Sequence, residues 1–210
     1  TVNVSAKNRI TPTGTPTLSK NAIIYGDALN TIALSGKLHD NVNNVDVDGT
    51  FEWVDGTHIP VVGNGTYAAE WIFEPTDTEK YLTVSGRSNI TVEKATQYGK
   101  VSMAGYTYGQ APSTPTLTDQ TGDLNAQVTY GYAVAGSGSV QTWDIQNPPA
   151  LNAGTYRMYA SIGDTDNYYG FEAVYCEFVV AKATPTYTVP TGLTAKYGQT
   201  LADVTLPDGW

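Results

Sequence analysis

The segment Ile90–Thr96, ITVEKAT, returns about 88 residues later as Phe178–Thr184, FVVAKAT. Gly65–Tyr67, GTY, returns at 154–156 with nearly the same offset, and the turn-like segment 77–81, DTEKY, returns at 164–168 as DTDNY. Three segments in the same order and nearly the same register indicate an internal repeat. A period of this length predicts independently folded domains rather than the short stacked modules of a solenoid.

A fourth recurring segment extends the repeat beyond two units. Tyr25–Asp27, Tyr108–Gln110 and Tyr197–Gln199 each pair Tyr-Gly with Asp or Gln after a Thr- and Pro-rich stretch. We therefore divide the chain into four parts. Residues 1–13 are predicted to be the closing strand of a preceding repeat, 14–95 and 96–183 two whole repeats (the first and second units), and 184–210 the opening strands of a third.

Alternating patterns within each unit predict antiparallel strands with one apolar face. Tyr67, Ala69, Trp71 and Phe73 alternate with more polar neighbours, and Phe51 and Trp53 face one way while Glu52 faces the other. The second unit has the same alternation of apolar and more polar residues, with Tyr156, Met158, Ala160 and Ile162 on the apolar face. Gly, Asn and Asp clusters separate the strands, as turns require. The predicted fold class is all-β.

The recurring motifs resemble those of tandem immunoglobulin-like repeats in large surface proteins of Gram-positive bacteria. The matching segments are the Tyr-Gly-Asp/Gln opening, the Gly-Thr-Tyr strand start, the Asp-Thr-x-x-Tyr turn and the Lys-Ala-Thr closure. The resemblance implies β-sandwich domains arranged head to tail, display at the bacterial cell surface, and neighbouring repeats as partners. It implies a non-enzymatic stalk or spacer that projects other domains. The alternative is an adhesin whose exposed aromatic face binds a host protein or carbohydrate.

Charge and hydropathy exclude several other classes. Twenty acidic residues against 11 basic ones give a net charge of −9, which disfavours binding to a nucleic-acid backbone. No apolar run approaches the roughly 20 residues that span a bilayer, so direct membrane insertion is not expected. The single cysteine, Cys176, alternates with Val174 and Phe178 and is predicted to be a buried, inert thiol.

The sequence contains no recognisable catalytic motif. His39 and His58 lie in neither a nucleophile elbow nor a metalloprotease motif, and the second unit has no histidine. We therefore expect no enzyme and no catalytic residues. No cofactor is expected either, apart from a possible calcium ion: Asn44, Asp46, Asp48 and Asp55 occupy positions 1, 3, 5 and 12 of a calcium loop, with Gly49 at position 6. A polar hairpin turn is the alternative explanation of that segment.

Two further possibilities concern the units themselves. Lys94 and Lys182 recur at equivalent positions, where an amide cross-link to Asn or Asp would stiffen a unit. Fifteen tyrosines exceed what the cores require, and the candidates for an exposed binding face are Tyr130, Tyr132, Tyr159, Tyr168 and Tyr169.

Overall fold

A computed structural model describes residues 8–172 and 175–206 of the chain. Within these residues the regular structure is all β apart from two single 3₁₀ turns, Leu29–Thr31 and Leu201–Asp203, which confirms the predicted fold class. The strands of the first unit are β1 to β8: Thr17–Leu18, Ala22–Ile24, Leu34–Ser35, Leu38–Asp40, Val45–Val47, Gly49–Trp53, Thr66–Pro75 and Val84–Glu93. Those of the second unit are β9 to β16: Lys100–Ser102, Tyr106–Thr107, Thr116–Thr118, Val128–Val134, Gln141–Trp143, Gly154–Ile162, Phe171–Glu172 and Cys176–Ala181.

Both units share one pairing scheme. In the first unit a four-stranded sheet has the order β2-β8-β7-β6, and in the second a larger sheet has the order β10-β16-β14-β12-β13, with β15 added to β14. In each, a short opening strand runs parallel to the closing strand, aligning Ile23 with Val92 and Tyr106 with Val180. The opening and closing segments that recur in the sequence are therefore direct neighbours in each sheet.

Small sheets complete each unit. The first has two two-stranded pairs, β1-β3 and β4-β5, whereas the second has β9-β11. The pairs β1-β3 and β9-β11 are equivalent, since Leu18 aligns with Leu34 and Val101 with Leu117. The β4-β5 hairpin occurs in the first unit and β13 in the second, so the two units differ in the middle of their sequences.

The predicted inward faces are confirmed. Ala69, Trp71 and Phe73 on β7 are at most 2% exposed. The inward residues of β14 are also buried, namely Tyr156, Met158, Ala160 and Ile162. The buried clusters of the described residues do not mix the two units, because two of them draw on residues 10–92 and the third on residues 101–180.

The two ends of the chain are less regular. Residues 1–7 and 207–210 lie outside the described residues, so the strand predicted before residue 8 has no structural counterpart here. Residues 184–206 contain no strand, although opening strands of a third unit were predicted there. An opening strand needs the closing strand of its own unit as a partner, and no strand follows Ala181 in the described chain. The 3₁₀ turn at Leu201–Asp203 nevertheless follows Tyr197–Gln199, as the turn at Leu29–Thr31 follows Tyr25–Asp27.

Packing between Trp71 and Gly86 yields a stability prediction. The two residues are cross-strand partners, and a Cβ built on Gly86 would overlap the Trp71 indole ring. Gly86→Ala should therefore lower the free energy of unfolding of the first unit by about 1–3 kcal/mol, because a packed core resists added volume. Gly138→Ala is the matched control, since its Cβ would meet nothing within 4 Å. Denaturant unfolding checks both, and equal stability of Gly86→Ala and the parent chain would contradict the packing.

Candidate functional site: the junction between the two units

The segment between the two units is held by backbone hydrogen bonds. Strand β8 ends at Glu93, and two residues later the Ala95 amide donates to the Asn167 carbonyl at 3.0 Å. The Tyr169 amide in turn donates to the Ala95 carbonyl at 2.9 Å, which forms a parallel bridge between Ala95 and Tyr168. The chain is thus hydrogen-bonded to the second unit's Asp-Thr-Asp-Asn-Tyr turn directly after β8 ends. We call this set of contacts the junction.

A buried amide side chain closes the junction from the second unit. Gln97 is only 2% exposed, and its Nε2 donates to the Tyr169 carbonyl at 2.9 Å. Its Oε1 accepts a longer hydrogen bond, 3.4 Å, from the Asp123 amide. Both ends of the amide are therefore satisfied, as a buried polar group requires. The hydrogen bonds orient the chain as it enters the second unit.

Three contacts between the units, each of which uses at least one side chain, reinforce the backbone bonds. The Val62 amide donates to Asn167 Oδ1 at 2.9 Å. The rings of Tyr25 and Tyr168 meet edge to face, with centroids 5.3 Å apart, a favoured arrangement for aromatic pairs. Lys94 Nζ lies 3.1 Å from Asp164 Oδ2 as a partly exposed ion pair. A polar, an aromatic and a charged contact therefore act on a single turn.

The same arrangement precedes the first unit. The Ile10 amide donates to the Lys80 carbonyl and the Leu82 amide donates to the Ile10 carbonyl, both at 2.9 Å. Ile10 and Tyr81 form a parallel bridge, as Ala95 and Tyr168 do. The segment ahead of each unit therefore bonds to that unit's Asp-Thr-x-x-Tyr turn. Whether residue 13 marks the end of a preceding repeat stays a prediction.

The first unit's turn is anchored by a buried carboxylate. Asp40 is fully buried and accepts hydrogen bonds from Tyr81 Oη at 3.0 Å and from Asn43 Nδ2 at 2.7 Å. These hydrogen bonds lower the pKa of Asp40 from 3.8 to about 2. The Asn43 side chain is the largest cause, and backbone amides and Tyr81 add to it. Burial opposes this shift but is outweighed. Asp40 therefore stays ionised inside the fold near neutral pH.

A polar groove of about 580 Å³ opens where the units meet. Tyr25 and Tyr168 form part of its wall, and Asp123, Asn125 and Asp166 add polar groups. The Thr165 hydroxyl lies buried there with no hydrogen-bond partner among the described residues. Tyr168, one of the tyrosines considered for a binding face, therefore belongs to the junction.

The calcium candidates have separate partners. Asp46 lies 3.4 Å from His39 Nδ1, and Asp48 forms an ion pair with Lys37 at 2.7 Å. Asp55 instead accepts hydrogen bonds from the amide and hydroxyl of Thr57, and Asn44 occupies the left-handed turn between β4 and β5. No three His, Cys, Asp or Glu side chains come together as metal ligands anywhere in the described parts of the chain. The four candidates lie on the β4-β5 hairpin and on the strand and turn that follow it, and calcium binding at this segment stays a prediction.

The two histidines have structural contacts. His39 faces Asp46 across the β4-β5 hairpin, and its backbone bonds to Thr13. His58 stacks on Tyr67 with ring centroids 5.3 Å apart, and its carbonyl accepts a hydrogen bond from Leu29. Their contacts lie in different parts of the first unit, so the structure does not join them in one site.

The remaining candidates fall into three groups. Cys176 is half-buried against the second core, and burial raises the pKa of its thiol; Val174 lies outside the described residues. Tyr130 and Tyr132 pack against the same core, whereas Tyr159 faces outward and Tyr169 is exposed beside the junction. Lys94 is engaged by Asp164, and Lys182 has no ion-pair partner among residues 8–172 and 175–206.

The two motifs that meet at the junction recur in the sequence, but the sequence alone does not predict that they meet. Tyr25 lies in the opening motif and Tyr168 in the turn motif, far apart along the chain. Gln97 and Val62 carried no motif at all. The available signal was the shortness of the link, because two residues after a strand leave little freedom in where the next unit begins.

Comparison with known proteins adds no family. A scan against protein-family models gave no match for this chain, and neither did a search of the curated proteins. In the part of the chain that the structure describes, no helix is long and apolar enough to cross a membrane.

The buried Asp40 predicts loss of stability in acid. Because its folded-state pKa is lowered, the ionised carboxylate stabilises the first unit fully above about pH 4, and this contribution is lost as the pH falls toward 2. Asp40→Asn should be less stable at pH 7 and should lose less stability between pH 4 and 2. Denaturant unfolding followed by tryptophan fluorescence measures both. Asp48→Asn, which removes an exposed ion pair, is the control. Parallel pH profiles of Asp40→Asn and the parent chain would contradict the assignment.

Asn167 provides a test of the junction. Asn167→Ala removes the acceptor of the Val62 amide while leaving both cores intact, so the units should move more independently at unchanged core stability. Nitrogen-15 relaxation should show one rotational correlation time for both units in the parent chain and two in the variant. Asn147→Ala, an exposed residue of the same unit, should behave like the parent. Equal coupling in all three proteins would show that Asn167 does not hold the units.

Proposed function

We propose that the chain is a stalk segment of a bacterial cell-surface protein, built from tandem immunoglobulin-like β-sandwich units arranged head to tail. Its role is to hold other domains at a distance from the cell, without chemistry of its own. The observation that carries this proposal is the junction, where the amide and the carbonyl of Ala95, two residues after the end of β8, are both hydrogen-bonded to the next unit. A flexible tether would instead have a long Gly- and Ser-rich linker.

The recurrence of the junction supports a chain of units. Ile10 and Ala95 make equivalent pairs of backbone bonds to the turns at Tyr81 and Tyr168. An arrangement that occurs ahead of both units is a property of the repeat. Each added unit would then extend the stalk by the same step.

The second unit contacts the first at a surface around Tyr25, and the far end of the second unit has counterparts of the same residues. Tyr108, Lys182 and Ala183 are the counterparts of Tyr25, Lys94 and Ala95, and the Tyr108 side chain is 51% exposed. Together with Asn152 and Pro185 they line a groove of about 460 Å³. The turn of a further unit fits this position, as Asn167 and Tyr168 do beside Tyr25.

The contacts of the polar candidates support a non-catalytic role. The acids near the first hairpin are engaged by Lys37, His39 and Thr57, and the second histidine is stacked on Tyr67. The most strongly perturbed carboxylate, Asp40, is enclosed behind a turn and hydrogen-bonded from several sides. These groups stabilise turns and hairpins.

Small-angle X-ray scattering of the whole chain tests the stalk. We expect an elongated particle whose longest dimension is close to the summed lengths of two units, with little change between low and high salt, because most junction contacts are uncharged. Asn167→Ala should broaden the distance distribution, and Asn147→Ala should not. A compact particle with the units folded side by side, or a parent chain as broadly distributed as Asn167→Ala, would overturn the proposal.

A further inference from the structure

The outward faces of the two units differ at one cross-strand pair. In the first unit Glu70 on β7 and Arg87 on β8 are partners, and Arg87 Nε donates to Glu70 Oε1 at 3.0 Å. At the equivalent positions the second unit has Tyr159 and Tyr175, whose ring centroids lie 5.7 Å apart. Two tyrosines of the second unit therefore occupy the positions that an exposed ion pair occupies in the first.

The tyrosine pair is partly exposed and held in place. Tyr159 is half-buried and Tyr175 is 38% exposed, and the Arg157 guanidinium carbon lies 4.1 Å from the centre of the Tyr175 ring. Arg157 is itself oriented by Glu177, since its Nε donates to Glu177 Oε1 at 3.2 Å. A cation–π contact at this distance restricts the Tyr175 ring. The two rings, inclined at 55° to each other, form a preorganised aromatic surface that we call the platform.

A groove of about 420 Å³ lies beside Tyr159. Gly131 is its cross-strand neighbour on β12, and the Val140 side chain packs against the backbone where glycine has no side chain. Val140, 54% exposed, borders the groove. The rim consists of hydroxyl, amide and carboxylate side chains, namely Thr129, Gln141, Thr142, Ser161 and Glu172. Aromatic rings beside hydroxyl and amide groups are the combination that recognises a sugar, whose ring has apolar C–H faces and polar edges.

We propose that the outer face of the second unit binds a neutral oligosaccharide, with one sugar ring on the Tyr159–Tyr175 platform and an adjoining ring in the groove beside Val140. The groove volume lies within the range of small-molecule sites, about 300–1,000 Å³. Glu172 on the rim and the net charge of −9 disfavour an anionic sugar. This binding activity goes beyond the stalk role and does not depend on the junction.

The test is a titration of the nitrogen-15-labelled chain with four neutral oligosaccharides: cellotetraose, maltotetraose, xylotetraose and N-acetylchitotriose. At least one should cause saturable chemical-shift changes centred on the amides of Gly131, Tyr159 and Tyr175. The variant Tyr159→Glu/Tyr175→Arg transplants the pair found in the first unit, so the sheet should tolerate it. We expect it to bind at least about tenfold more weakly. The matched control Glu70→Ala/Arg87→Ala should bind like the parent chain.

A second variant guards against misfolding of the first. Thr142 is exposed and lies opposite Gly131 on the groove rim, so Thr142→Ile replaces a rim hydroxyl by an apolar group while leaving both tyrosines in place. It should also weaken binding. Saturable shifts from none of the four sugars would overturn the proposal, as would shifts centred away from these amides. Tighter binding of an anionic probe, heparin hexasaccharide, than of every neutral sugar would do the same.

Discussion

Two backbone hydrogen bonds, one donated by Ala95 and one accepted by it, determine where the second unit begins relative to the last strand of the first. Strand β8 ends at Glu93, so the chain cannot turn far before it is paired again. The remaining contacts depend on this pairing: only with Ala95 beside Tyr168 do Asn167 and Tyr168 reach the Val62 amide and the Tyr25 ring. The backbone hydrogen bonds of Ala95 set where the second unit begins, and the side-chain contacts stabilise that arrangement.

Repetition fixes the frame of each unit and leaves its outward positions free to differ. Residues that pack inward, such as Trp71 or Met158, are constrained by a close-packed core. Outward positions on the same strands carry an ion pair in one unit, Glu70 with Arg87, and two tyrosines in the other. The proposed stalk and the proposed ligand-binding face are therefore compatible in one chain, because the junction uses the turns at the ends of the units and the face uses the outward side of a sheet.

The sequence predicted what depends on local pattern. Alternation identified the inward faces of β7 and β14, and recurring turns identified the repeat, because both are short-range consequences of side-chain direction. Contacts across long stretches of chain carried no such signal. Gln97 has no motif, yet it is buried between Tyr169 and Asp123. The spacing of the acids near Asp48 matches a calcium loop, but spacing carries no information on the partners that folding brings to them. His39 lies opposite Asp46 on the β4-β5 hairpin, and Lys37 forms an ion pair with Asp48.

Amide hydrogen exchange at the junction tests the central claim most directly. If the link is fixed to the turn, the amides of Ala95 and Tyr169 are protected to a degree comparable with amides inside β8 and β16, because both are bonded across the junction. The Val62 amide, which donates to Asn167, should lose protection in Asn167→Ala. Exchange of Ala95 and Tyr169 at the rate of an open loop would show that the units are tethered rather than joined, and would contradict the account.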